Sequence, residues 1–172
     1  MNIFYTNSDP ELAASDLPPH LANKMLIETF QILSNPYRNQ LDKMPKNSKG
    51  GIRRESYKSH PCSKWATKSV KNVEYLVNYA EALATRLSRH FGYNISQTSF
   101  EFINYCKNNK PNCPNHEFEA PPECFSGQTP TGSDICARYR SYLVAKPYKK
   151  WWKKPEDVPT WITDRTATKW TT

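Results

Sequence analysis

The chain has 172 residues, a formal net charge of +8, 37% hydrophobic and 13% aromatic residues. That length fits one domain with a buried core, and the low apolar content with a high aromatic share predicts an aromatic-rich interior. No apolar run reaches transmembrane or signal-peptide length, so membrane insertion and secretion are not expected, and a cytoplasmic protein with reduced cysteines is.

In chain order, Asn2-Ile-Phe-Tyr5 is a short apolar stretch suited to a strand or a buried extended arm. Asp9-Pro10 opens a turn or short helix over Glu11 to Ala14. Asp16 is placed to cap a helix from about Pro18 to Ser34, with proline in its first turn. Leu21, Met25, Leu26, Phe30 and Leu33 recur at helical spacing and mark its buried face. His20, Lys24, Glu28 and Gln31 fall at spacings of four, four and three and line another face. Glu28 there could act as a general base or electrostatic stabiliser, with Lys24 one turn away holding it ionised. The same spacing also describes the solvated side of any amphipathic helix.

A basic loop follows, residues 36–59. Between Pro36 and Lys71 lie ten lysines and arginines against two acids. This excess equals the net charge of the whole chain, so the positive field is concentrated. Such a field on a small protein suits a polyanion, with a nucleic acid as the expected partner. Arg38, Lys49, Arg53, Arg54, Tyr57, Lys58, Lys64 and Lys68 are the candidate contacts, with Arg89 further along. Within Tyr57-Lys-Ser-His60-Pro-Cys62-Ser-Lys64-Trp65, His60 could bind a phosphate or shuttle a proton. Cys62, near a helix start, could have a lowered pKa or simply pack.

The longest helix is predicted from about Ser63 to Phe91, stopped by Gly92. Its buried stripe is Val70, Val73, Leu76, Val77, Ala80, Leu83, Ala84 and Leu87. Ser96 caps a shorter helix carrying Phe100, Ile103 and Tyr105. Residues 108–132 form an irregular loop rich in Pro and Asn. Cys106, Cys113, His116 and Cys124 offer zinc-ligating side chains there, although only Cys113-Pro-Asn-His116 has a close ligand spacing. Ser133 or Asp134 caps a last helix to about Ala145. The tail, residues 148–172, interleaves Lys149, Lys150, Lys153 and Lys154 with Tyr148, Trp151 and Trp152. Its lysines suit phosphates and its aromatics suit bases, while one aromatic docks on the core. The sum is a mostly α, single-domain helical bundle with long irregular loops and a short N-terminal arm. No cofactor is expected.

The order of these segments resembles a group of small tailed-phage proteins. The matching stretches are Met1-Asn-Ile-Phe-Tyr with Asp9-Pro10 and Ala13-Ala14, then Lys24-Met25-x-x-Glu28-x-x-Gln31-x-Leu33-Ser34. His60-Pro61-Cys62-x-x-Trp65, Tyr139-Arg140-x-Tyr142, Lys150-Trp151 and Pro159-x-Trp161 continue the match. More distantly, the layout resembles the pyrimidine-dimer DNA glycosylase (endonuclease V) family. Glu28 matches that family's helix glutamate by position, Tyr57-Lys-Ser-His60-Pro61 matches its loop, and Arg89-His-Phe-Gly92-Tyr93 resembles its helix end. The resemblance implies a DNA glycosylase/AP lyase in which the N-terminal amine attacks the sugar C1′ and a carboxylate handles charge and protons. The implied catalytic set is Met1, Glu28, His20, Lys24 and His60. One departure stands out: that family exposes a small residue by losing its methionine, whereas bulky Asn2 here keeps Met1, so that either the Met1 amine is the nucleophile or the chemistry has been lost or replaced. The alternatives are a non-catalytic DNA-binding phage protein of host takeover or packaging, and a DNA base-modifying transferase. The transferase lacks a Gly-rich loop to hold a nucleotide.

Overall fold

A computed structural model describes residues 2–127, 129–145, 152 and 154–162. Among them are six α-helices and no strand. They are α1 (Pro10–Ser15), α2 (Pro19–Leu33), α3 (Pro61–Ala66), α4 (Val70–Thr85), α5 (Gln97–Asn108) and α6 (Ile135–Ala145). The expected mostly helical fold is what forms.

Helix α4 is the central element and packs against α1, α2, α3 and α5. Its expected stripe is buried from Val73 to Leu87, joined by Tyr75 and Tyr79, while Val70 at the first turn is half-covered. The interior is aromatic as composition implied. Tyr75 lies 5.3 Å from Phe118 and 5.4 Å from Tyr5 between ring centroids. Phe4 and Phe125 gather around Tyr139 and Tyr142. Such pairs add about 0.5–1.5 kcal/mol each beyond the area they bury. The N-terminal segment is the buried arm rather than a strand: residues 2–6 are all buried.

Several boundaries differ from expectation for local reasons. The single helix over 63–91 is two helices and a wide turn. Ser69 breaks it with an extended backbone and caps α4 by accepting from Lys71 N–H. After α4 the chain widens into a π turn, Arg86–His90, and stops at Gly92, whose φ of +69° favours glycine. Asp16 does not cap α2; Pro18 holds the N-cap position without a side-chain bond. Asp16 turns inward instead, where burial raises its carboxyl above the usual value against the opposing pull of Thr6, Trp161, Arg140 and Arg86. In α5 the buried side chains are Phe102, Ile103 and Cys106, while Phe100 and Tyr105 are half-covered. Asp134 does cap α6, accepting from Ala137 N–H at 2.8 Å.

The loop between α5 and α6 is irregular yet tightly tied. The Trp65 indole donates to Glu119 O (2.7 Å), the Ser69 hydroxyl to His116 O (2.5 Å), and Val70 N–H to Pro114 O (2.9 Å). Asn72, fully buried, donates to Trp65 O and accepts from Glu119 N–H. Backbone that cannot pair with a sheet is thus paired at the α3–α4 junction. The second half of the molecule closes on a short 3-10 turn, Pro155–Asp157, whose buried carboxylate lies 2.5 Å from His90 and 3.9 Å from Arg86.

Candidate active site around Asn2 and Glu28

Asn2 is the residue on which the site converges. Its backbone N–H donates to Glu28 Oε2 at 3.0 Å. Its side-chain amide donates to Cys124 O at 3.1 Å. Its Oδ1 accepts from Ile3 N–H and from the Tyr139 hydroxyl, both at 2.8 Å. Pro122 O, at 3.1 Å, is a second acceptor for that hydroxyl. One small side chain therefore joins the start of the chain to α2, to the 109–134 loop and to α6.

Glu28 is placed by helical spacing. It sits 14% exposed with Lys24 Nζ 3.7 Å from Oε1, one turn back. Its other oxygen takes the Asn2 N–H, so the carboxylate is held from two sides. Met1 itself lies outside the described residues. His20, further back on α2, is exposed to solvent.

On the other side of Asn2 lie His60, Cys62 and Cys124, whose ligand atoms all fall within 4.8 Å of one another. His60 caps α3, with Nδ1 accepting from Cys62 N–H at 3.2 Å. Burial lowers the His60 pKa, the positive N-terminus adds to that, and Glu28 opposes it. The two sulfurs are 3.6 Å apart. The hydrogen bond with Cys124, in which either sulfur can donate, together with burial pushes the Cys62 thiol up. The same bond holds the Cys124 thiol down to about 7, against its burial. The lowered thiol is thus Cys124, not Cys62, because the helix start is occupied by His60 and Cys62 is fully buried.

The zinc quartet suggested by the sequence does not assemble among the described residues. Cys124 goes to His60 and Cys62, and His116 is turned to solvent while its carbonyl binds Ser69. Cys106 is buried in α5, and burial pushes its thiol up to about 12.

The basic candidates divide into exposed and engaged groups. Arg38, Lys49, Arg54, Tyr57, Lys58, Lys64 and Lys68 are exposed, with Lys58 paired to Glu55 and Lys68 to Glu119. Arg53 is not a free phosphate contact. Its guanidinium lies 3.9 Å from the Phe102 ring centroid, and its Nε donates to Pro45 O at 3.0 Å. Arg89 is exposed on the π turn, beyond the opposite end of α4 from Lys68. Trp152 is not available for stacking either, because it is 2% exposed in a small cluster with Val158 and Ile162. Lys154 is exposed; Lys149, Lys150, Trp151 and Lys153 lie outside the described residues. Between α2 and the basic loop runs an open groove of about 810 Å³, whose walls include Ile27, Gln31, Lys49, Ile52 and Arg54. Ile27 and Ile52 are more than half exposed there, and Glu28 follows Ile27 on the adjoining helix face. Tyr57, at the loop's end, has a φ of +51° and is 62% exposed.

Sequence reasoning missed Asn2 as a site residue, and it grouped Cys124 with Cys106, Cys113 and His116 rather than with His60 and Cys62. The His60-x-Cys62 spacing was visible, but no local pattern points to a cysteine 62 residues later. Comparison with protein-family models, with curated proteins and with solved structures finds no match to this chain.

Proposed function

We propose that this protein is a DNA-base enzyme of the glycosylase/AP-lyase type, using the amine of Met1 as nucleophile and Glu28 as its charged partner. The observation that supports this is the 3.0 Å bond from Asn2 N–H to Glu28, which ties the start of the chain to the one carboxylate on α2. An α-amine has a pKa near 8, so a useful fraction is neutral at pH 7. In this reading the amine nitrogen bonds to C1′ as the C1′–base bond breaks, and the base leaves with the electron pair and takes up a proton. The sugar ring then opens: O4′ leaves C1′ as a hydroxyl and an iminium joins protein and sugar. Glu28 stabilises that cation and removes a C2′ proton, so that the 3′ phosphate leaves by elimination. The groove beside Ile27 and the exposed Lys49 and Arg54 would carry the flanking backbone, and Tyr57 would contact an unstacked base.

Borohydride trapping tests it, on end-labelled duplexes carrying an abasic site, a thymine dimer, uracil or modified pyrimidines. The reading expects a covalent protein–DNA band that disappears when the N-terminal amine is blocked. It also expects Glu28→Gln to lose the band and keep DNA binding. Binding without chemistry is the second reading, favoured by exposed cations on the loop that do not depend on Glu28. It expects salt-sensitive gel shifts, no band with any duplex, and no effect of Glu28→Gln.

A further inference from the structure

We propose that His60, Cys62 and Cys124 form a site for a thiophilic divalent cation, zinc above all, with two sulfurs and one imidazole nitrogen as ligands. Three observations carry it. The three ligand atoms lie within 4.8 Å of one another, and no other group of three His, Cys, Asp or Glu side chains does so among the described residues. The sulfurs are 3.6 Å apart. With Zn–S bonds of about 2.3 Å, the edge of a tetrahedron is about 3.8 Å, so the thiols already stand at nearly the separation a zinc ion imposes. A disulfide would need them at about 2.05 Å and would need an oxidant. Thirdly, the ligands come from two elements that nothing in local sequence joins. His60 and Cys62 start α3, and Cys124 lies in the long irregular segment before α6. Metals fix segments of this kind, whose own backbone forms no ladder.

Two thiolates and an imidazole select zinc over magnesium or calcium, whose preferred ligands are oxygens. Three protein ligands leave a fourth position for water or an incoming group. Binding releases two thiol protons to solvent, forms two S–Zn bonds and changes no oxidation state. Ligation by His60 Nδ1 replaces the 3.2 Å bond from Cys62 N–H. Ligation by Nε2 moves the ring proton to Nδ1 and loses the same bond. Either way α3 exchanges a weak cap for a metal bond. Asn2 holds the Cys124 carbonyl and Glu28 at once, so a cation here would brace the arm that carries the chain's first amine. The inference does not rest on the lyase reading, since it is tested without DNA.

The experiment is titration of the reduced, full-length protein with Co²⁺ as a spectroscopic substitute, followed by displacement with Zn²⁺. The proposal expects a single equivalent per chain, thiolate-to-cobalt charge transfer in the near ultraviolet, and the intense visible bands of a tetrahedral centre, all lost on adding zinc. Cys124→Ser and His60→Ala should weaken uptake by more than the ~10-fold that loss of even a supporting group costs. Cys113→Ser, in the same loop but outside the cluster, should leave it unchanged. If circular dichroism shows Cys124→Ser unfolded, the half-exposed His60 carries the same test. Only the pale spectrum of octahedral cobalt, or tetrahedral bands that survive both substitutions, overturns the proposal. So does thiol titration showing Cys62 and Cys124 joined as a disulfide with no metal bound.

Discussion

At the scale of single residues, the molecule uses polar side chains to fix positions that apolar packing leaves loose. Asn2 is the clearest case: it is 8% exposed, and both ends of its amide are bonded. Asn2→Ala leaves the Cys124 carbonyl and the Ile3 N–H without these partners. Urea denaturation should show a loss of about 1–3 kcal/mol. Arg53 and Arg54 are neighbours in sequence with opposite expectations. Arg53→Ala removes a guanidinium stacked on Phe102 and should cost about 1–2 kcal/mol of stability. Arg54→Ala should leave the midpoint unchanged and, on the proposed DNA-binding reading, lower the salt dependence of binding by about one phosphate contact. A sequence pattern treats the two arginines alike, because charge is visible in the chain and the ring beneath it is not. Asp16 carries a pH effect of definite sign. Its carboxyl is raised in the folded state, so the folded protein holds that proton to higher pH than the unfolded chain does. The associated stability is fully present below the ordinary carboxylate value and is lost as pH climbs through the raised one. Asp16→Asn should flatten that loss in a series of denaturation curves through the acid range.

At the scale of elements, the junctions hold more information than the helices. The stripe from Val73 to Leu87 and the buried face of α2 were legible because both follow from a 3.6-residue period. The break at Ser69 was not. The apolar period runs on through it, and the cause is the carbonyls of Pro114 and His116, which are far away in the chain. Ser69→Ala removes both the α4 cap and the bond to His116, and should cost about 1–2 kcal/mol. The matching prediction at the other end of α4 concerns Asp157. Its side chain is 3% exposed between Arg86 and His90. Asp157→Ala leaves Arg86, itself 14% exposed, without that counter-charge. A loss of about 3 kcal/mol is expected. Faster proteolysis beyond Ala145, with the rest of the chain intact, would show that this carboxylate docks the C-terminal segment.

At the scale of the whole molecule, sequence reasoning reached the site from one side only. Glu28 and His60 were legible as chemistry-bearing side chains at the right ends of their elements, and Asn2 ties the first of them to the start of the chain. The other half depends on separations that no window of sequence spans: Cys62 to Cys124, and Asn2 to Tyr139. The zinc quartet failed for the same reason. Nearness in sequence suggested Cys106, Cys113, His116 and Cys124, whereas the fold sends the loop across α3 and delivers only Cys124 to a partner thiol. Trp152 shows the reverse. Of the tail's aromatics one was expected to dock and the rest to stack, and Trp152, counted among the stacking candidates, is buried in a small apolar cluster with Val158 and Ile162.

The position of Asn2 has a consequence for the order in which the protein is made. Its hydroxyl partner Tyr139 lies 137 residues later and is made after it. At about 5–20 residues per second, that partner is some ten seconds away when Asn2 appears. Through that interval the arm of Ile3, Phe4 and Tyr5 can meet α2 and α4 but lacks the Tyr139 and Tyr142 rings that pack on Phe4. The arm is then fully seated only once α6 has been made, and removing α6 would leave the Asn2 amide oxygen without its Tyr139 donor.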